Sequence, residues 1–480
     1  MSSPISNEKR PPDPALLAIA EYAHGYGIES GEALDTAVLC LADSLGCAML
    51  ALGFPECAKM LGPVVPGIRA EDGARVPGTD HVLDPVAAAF NIGTLIRWLD
   101  FNDTWLAQEW GHPSDNLGGI LAVADWKSRA DARVGKPPLT VDDVLRAAVK
   151  AHEIQGIIAL GNAFNRVGLD HVLSVRVASA AVIAGLLGGT RDQILAAVSQ
   201  AFVDGGALRT YRHAPNAGSR KSWAAGDATA RGAWLAFMSL RGEMGYPAVL
   251  AAPQWGFQDV ILRGKPLALD RPLGTYVMEN VLFKVSFPAE FHAQTAVEAA
   301  IRLHPRVKDR LDSIVRVEIA TQEPALRIID KSGPLHNPAD RDHCLQYMAA
   351  VGLIKGSLSA GDYSDASAAD VRIDALRAKM VCREDERYSR DYLDPDKRSI
   401  ANALEVFFSD GTSTGKVEVE YPLGHKRRRR ESIPHLFAKL EANLASRFPR
   451  DRVDALAGLF GDRERLRKMS VPAFIGLFLP

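Results

Sequence analysis

The sequence predicts a mainly α protein: a large all-helical domain built from both ends of the chain, with a smaller α+β domain between them. Three observations carry this. Apolar runs at helical spacing follow one another through the first half, alternation of apolar and polar residues begins only after about residue 270, and helical spacing returns at Ile433. A chain of 480 residues also exceeds what one ordinary hydrophobic core serves, so two domains are expected. The boundaries fall at 1–272 and 429–480 for the helical part and 273–428 for the α+β part.

Taken in order, Asp13 and Asp84 each precede a proline, the pattern of a capping carboxylate before the first helical residue. The runs Ala15 to Ala23 and Val86 to Leu99 that follow are helix-spaced. Thr140 with Asp143 resembles a capping box ahead of Val144, Leu145 and Ala148. Three stretches, 171–187, 191–203 and 228–240, are apolar nearly all round and should lie in the middle of a bundle. In 313–321, Val315, Val317 and Ile319 alternate with Arg316 and Glu318, which predicts a half-buried strand. Leu404 to Phe408 and Lys416 to Tyr421 flank a turn-like break at Ser409, Asp410 and Gly411, a hairpin pattern. Helical patterns at 341–354 and 368–380 intervene, and 433–448 begins the closing helical stretch.

Charge and cysteine usage exclude several functions. With a formal net charge of −2, no global field draws the chain to nucleic acid or anionic lipid. No apolar run reaches the roughly 20 residues that span a bilayer, and residues 1–14 lack the pattern of a secretory or transit leader. Cytoplasm is the expected compartment. Cys40, Cys47, Cys57, Cys344 and Cys382 are widely spaced, which predicts neither a disulfide framework, a zinc site nor an iron–sulfur cluster. The run Lys426 to Arg430 has no interleaved aromatic residue for base stacking, so a solvated linker or ion-paired seam is the stronger reading.

Residues 100–116 gather the most chemistry: Asp100, Asp103, Thr104 and His112 supply proton-transfer and hydrogen-bonding groups, and Trp105 and Trp110 could wall a pocket. The competing reading is a surface loop that only caps the next helix. A second loop, 205–226, sets Arg209, Arg212, His213, Arg220 and Lys221 among glycines, which suits an anion site or else a solvated basic loop. Lys284 and His292 flank Phe287 and Pro288 near the domain junction, Tyr347 lies on a predicted helix, and His171 opens an apolar one.

In order along the chain, these segments resemble the MmgE/PrpD family, and the resemblance covers nearly all of it. Its most specific stretch runs from Arg97 through Asp100, Asp103 and Thr104 to Gly111, His112, Pro113 and Ser114. The long insert with Glu109, Trp110 and Gly111 is similar to the branch that dehydrates 2-methylcitrate rather than to the cis-aconitate decarboxylases. The resemblance implies an α+β lid over a helical domain, with the site between them. It implies Asp100, His112, Lys221 and His171 as catalytic residues and Thr104, Lys284, His292 and Tyr347 as substrate-binding ones, with no metal and no cofactor. Leu169 and Asp170 depart from the family's small, Gly-containing motif before His171.

The implied reaction is a hydro-lyase step of propionate catabolism, 2-methylcitrate to 2-methyl-cis-aconitate plus water, with citrate and cis-aconitate allowed as further substrates. It needs a base beside a carboxylate, an acid for the hydroxyl, and cations to hold the developing charge. Brønsted matching leans towards His112 as base. A decarboxylase or epimerase on the same scaffold is the alternative, and nucleic-acid binding through Lys426 to Arg430 the outside one. The expected partner is thus a small tricarboxylate, with neither nucleic acid nor membrane, and a homodimer is allowed.

Overall fold

A computed structural model describes residues 8–480; residues 1–7, part of the segment read for a leader, lie outside it. Helices dominate from Pro14–Gly25 to Val471–Gly476, and the only sheet of more than two strands among the described residues has four. In that sheet, Ile314–Thr321 pairs in parallel with Met380–Glu384 and antiparallel with Asn402–Phe408, which pairs antiparallel with Val417–Val419.

Buried apolar residues form two large clusters. The first takes residues from Leu16 to Val285 and again from Leu436 to Phe478, so both chain ends share one helical core. The second runs from Phe287 to Val419 and adds Trp110 from the first half. At the middle of the helical core the backbones of Pro85–Arg97, Leu117–Arg133 and Arg220–Leu240 nearly touch. A Cβ on Gly226 would lie 2.6 Å from the Phe90 carbonyl, and one on Gly118 would lie 2.6 Å from the Gly93 nitrogen. Glycine is required there because any side chain would push the helices apart. This crossing sets the last turn of one helix, carrying Arg97, against the first turn of another, carrying Lys221.

Several local expectations hold. Asp84 accepts from Val86 N and Ala87 N, and Thr140 with Asp143 forms a complete capping box. Others are corrected. Asp13 makes no cap; its carboxylate accepts from Leu250 N and Ala251 N, tying the first helix to a distant segment. The third apolar helix starts at Arg220 rather than Ala228, so Lys221 is helical and not in a loop. Val315 is exposed because a bulge between Ile314 and Arg316 shifts the alternation. The segment 368–380 breaks into Val371–Arg377 and the start of Met380–Glu384, an edge strand disguised by its charged Arg383 and Glu384. Finally, the 21-residue helix Gly31–Ala51 is long and apolar enough to cross a membrane, contrary to the expectation of no such run; most of it is buried inside the fold.

The Lys426 to Arg430 run is an ion-paired seam. Lys426 meets Glu32, Arg428 meets Glu298 and Glu431, and Arg429 donates to the Val281 carbonyl.

Candidate active site

The site is built from the end of one helix and the segment that leaves it. Pro85–Arg97 carries Arg97 in its last turn, and three residues later Asp100 takes a positive φ of 51°. A left-handed conformation strains most L-residues, though Asp tolerates it better than most. Here it lets one ammonium satisfy both polar ends of the residue: Lys284 donates to the Asp100 carbonyl at 2.7 Å and to its carboxylate at 2.5 Å. Arg97 grips the same carboxylate at 2.7 Å. All three side chains are buried. Burial alone would raise the Asp100 pKa, but the Arg97 and Lys284 cations outweigh it and hold the carboxyl well below the usual range. Burial draws the Lys284 ammonium below its ordinary 10.5, against the pull of Asp100.

Residues 104–111 fold back on themselves. Thr104 exchanges both backbone hydrogen bonds with Leu282, and Trp105 N donates to the Gly111 carbonyl at 2.8 Å. This turn returns His112 to the Asp100 carboxylate, 3.6 Å from its Nε2. The tautomer follows from the partners. Nδ1 lies 2.6 Å from the Asp103 carbonyl, which can only accept, so Nδ1 carries the proton. Nε2 lies 2.9 Å from an Arg97 nitrogen, which can only donate, so Nε2 carries no proton and its lone pair accepts from Arg97. Thr104 Oγ1 sits 3.2 Å from Nδ1. Burial first, then the Arg97 charge, push the His112 pKa well below 6.5. The surface-loop reading fails, because Gln108 is the only exposed residue of 100–116.

His171 stands beside His112, ring centroids 5.7 Å apart, with Asp170 3.2 Å from its Nδ1 and Asp115 3.6 Å from its Nε2. Asp170 also binds Arg212, and Arg209 approaches both Asp170 and Glu109. The basic loop is therefore solvated only in part: Arg209 and Arg212 are buried against carboxylates, while Arg220 is partly exposed. Burial lifts the Glu109 carboxyl to about 7 even though it accepts from Asn165. Lys221 reaches across to the α+β part, donating to Asp342 at 2.5 Å, and Asp342 holds His343 at 2.8 Å. Burial, then Lys221, takes His343 down to about 4.

The structure thus brings Asp100, Thr104, His112, Lys284 and His171 together, with Lys221 close enough to help lower the Asp100 pKa. Two expected residues stand apart. His292 is held by Glu290 at 2.8 Å and Tyr392 at 3.1 Å, and Trp110 packs edge-on against it. Tyr347 gives its hydroxyl proton to the Asp362 carbonyl at 2.6 Å and stacks on Tyr363. Sequence reasoning assigns no role to Arg97, Asp115, Asp170, Asp342 or His343. Arg97 has a usable signal, a helix-end cation three residues before Asp100; His343 has none, because its role depends on a contact between distant segments.

Cys40, Asp103 and His152 are the one group among the described residues whose donor atoms lie within 4.8 Å, as a metal would require. They are already engaged. Asp103 accepts from Ser114 N and faces His152 at 2.9 Å, His152 donates to the Ala148 carbonyl, and burial pushes the Cys40 thiol well up, away from a ligating thiolate.

The MmgE/PrpD N-terminal domain matches residues 17–270 and the MmgE/PrpD C-terminal domain residues 287–459. A 2-methylcitrate dehydratase of Cupriavidus necator is 60% identical over 483 aligned residues, covering all of both chains. One of Escherichia coli (strain K12) is 58% identical, again over all of both. The mitochondrial 2-methylcitrate dehydratase of Yarrowia lipolytica is 54% identical over all of this chain and 93% of its own. With both family domains matched in order and identity sustained end to end, the chain belongs to the MmgE/PrpD family.

Proposed function

We propose that this protein is a 2-methylcitrate dehydratase, a lyase that removes water from 2-methylcitrate to give 2-methyl-cis-aconitate in propionate catabolism. The observation that carries the reading is full-length identity of 58–60% to bacterial enzymes of that name, with the signature residues gathered in one buried ion cluster. Citrate and cis-aconitate are further substrates to test.

Within this reading His112 is the base. Its Nε2 carries no proton, and a low pKa keeps it so at neutral pH, which makes it a weaker base than the near-neutral imidazole that Brønsted matching favours. Asp100 is too strongly stabilised as an anion to take the proton, so it serves as the anchor that orients Arg97 and Lys284. Lys284, an ammonium made more acidic by burial, is the proton donor for the departing hydroxyl. Lys221 grips a substrate carboxylate, displacing Asp342, and His171 supports the imidazole beside it. Thr104, His292 and Tyr347 remain proposed substrate contacts. The same reading divides the chain at 1–272, 273–428 and 429–480 into a helical domain and a lid. Two separate hydrophobic clusters support the division, with Met278 to Val285 packed on the helical side. It carries with it a cytoplasmic setting and a homodimer as the assembly to test.

The decisive experiment incubates EDTA-treated protein with 2-methylcitrate and follows ultraviolet absorbance of the alkene. Steady alkene formation with no carbon dioxide is the expected result. Release of carbon dioxide, or a requirement for added iron and sulfide, would overturn the reading.

A further inference from the structure

A cleft of about 780 Å³ opens between the helical part and the α+β part, away from the buried cluster. Arg166, Arg271, Arg327 and Arg398 line it, against two carboxylates, Asp270 and Glu323. Glu323 is already paired with Arg327, while Arg166 and Arg271 are exposed and have no ion-pair partner among the described residues. Arg398 adopts a positive φ of 44° and is held by the Leu106 carbonyl with its guanidinium over the Trp105 ring. Positive charge on a partly enclosed wall concentrates the field in the opening and raises the local concentration of anions.

The floor of the cleft links it to the candidate site. Trp110 and Tyr392 both line it, both are almost fully buried, and both contact His292 from the cleft side. Trp110 has Arg327 of the cleft 5.5 Å from its ring and the buried Arg209 at 5.2 Å. From Arg209 the contacts continue through Asp170 and His171 to His112. Two aromatic rings are thus the partition between an exposed set of cations and a buried one.

We infer that this cleft is an outer binding site for di- and tricarboxylates, where the substrate docks before passing Trp110 and Tyr392 to the buried groups. The inference rests on the tricarboxylate reading above for its ligand class. A trianion gains from each nearby cation an attraction that is strong at low salt and screened within a few ångströms at high salt.

The test neutralises the two unpaired arginines, Arg166→Gln with Arg271→Gln. Arg450→Gln with Lys468→Gln, exposed and remote, is the control for net charge. For turnover of 2-methylcitrate, kcat/KM of the cleft variant should fall at least about five-fold at ~0.01 M ionic strength and come within about two-fold of wild type at ~0.5 M. The control should keep the wild-type salt profile. If the wild-type protein does not turn over 2-methylcitrate, calorimetric binding of propane-1,2,3-tricarboxylate is measured across the same salt range instead. Salt-sensitive affinity lost in the cleft variant supports the site even then. A cleft variant that matches the control in both measurements overturns it.

Discussion

Replacing Arg97 by Met asks whether the buried cluster is machinery or scaffold. The guanidinium contacts Asp100 at 2.7 Å and His112 Nε2 at 2.9 Å, so its loss breaks a buried pair and frees the imidazole lone pair. Breaking a buried pair costs roughly 3–5 kcal/mol. The lower end, about 3 kcal/mol, is expected because Lys284 still satisfies Asp100 at 2.5 Å. Loss of the positioning bridge should lower kcat by about 10²-fold. It should also shift the pH profile in a definite direction. Arg97 is, after burial, the largest influence holding the His112 pKa down, so its removal raises that pKa. Protonation then disables the base at a higher pH, and the acid limb of kcat/KM moves upward. Arg97→Lys restores a cation but not the two-nitrogen fork, so stability should largely return and the acid limb should stay low, with kcat still reduced. Alkene absorbance across pH, beside urea unfolding, measures all of this. A Met variant that is less stable but keeps wild-type kcat and pH profile would refute the argument and make Arg97 a brace.

Three more outcomes are expected. His112→Ala should lower kcat about 10²–10⁴-fold with a smaller effect on KM; wild-type turnover in a less stable protein would return His112 to the scaffold. Lys221→Met should raise KM about ten-fold or more, whereas Asp342→Asn, which frees the lysine, should lower KM; equal increases in both would make the pair a structural clasp. Stability should fall on acidification below pH 6.5: the unfolded chain protonates His343 near 6.5, the folded one only near 4, so the folded state loses up to ~3 kcal/mol as pH drops through that window. Urea midpoints that stay flat between pH 6.5 and 4 would contradict the buried, neutral assignment of His343.

Much of the fold is legible in the sequence because local physics decides it. The capping box at Thr140 and the helix stop near Arg97 depend on neighbours three or four residues away. Interactions at that range are written directly in residue order. The edge strand Met380–Glu384 is hidden because its residues are charged where they face water, and only pairing with Ile314–Thr321 makes it a strand. Val315 escapes the alternation rule for a related reason, a bulge set by its partner strand.

The site divides the same way. By itself the sequence determined which residues could carry charge and protons, and the signature from Arg97 to Ser114 narrowed the family. Tertiary structure alone decided which of them act on one another. Lys284 meets Asp100 across 184 residues, and Lys221 meets Asp342 across 121. The Lys284 encounter joins Arg97 in keeping Asp100 anionic, the folding back of residues 104–111 sets the tautomer of His112, and contacts to Tyr392 and to the Asp362 carbonyl leave His292 and Tyr347 at the margin. The reason is physical: a side chain's chemistry is intrinsic, but its pKa and partners depend on burial and on charges within a few ångströms, and the fold supplies both.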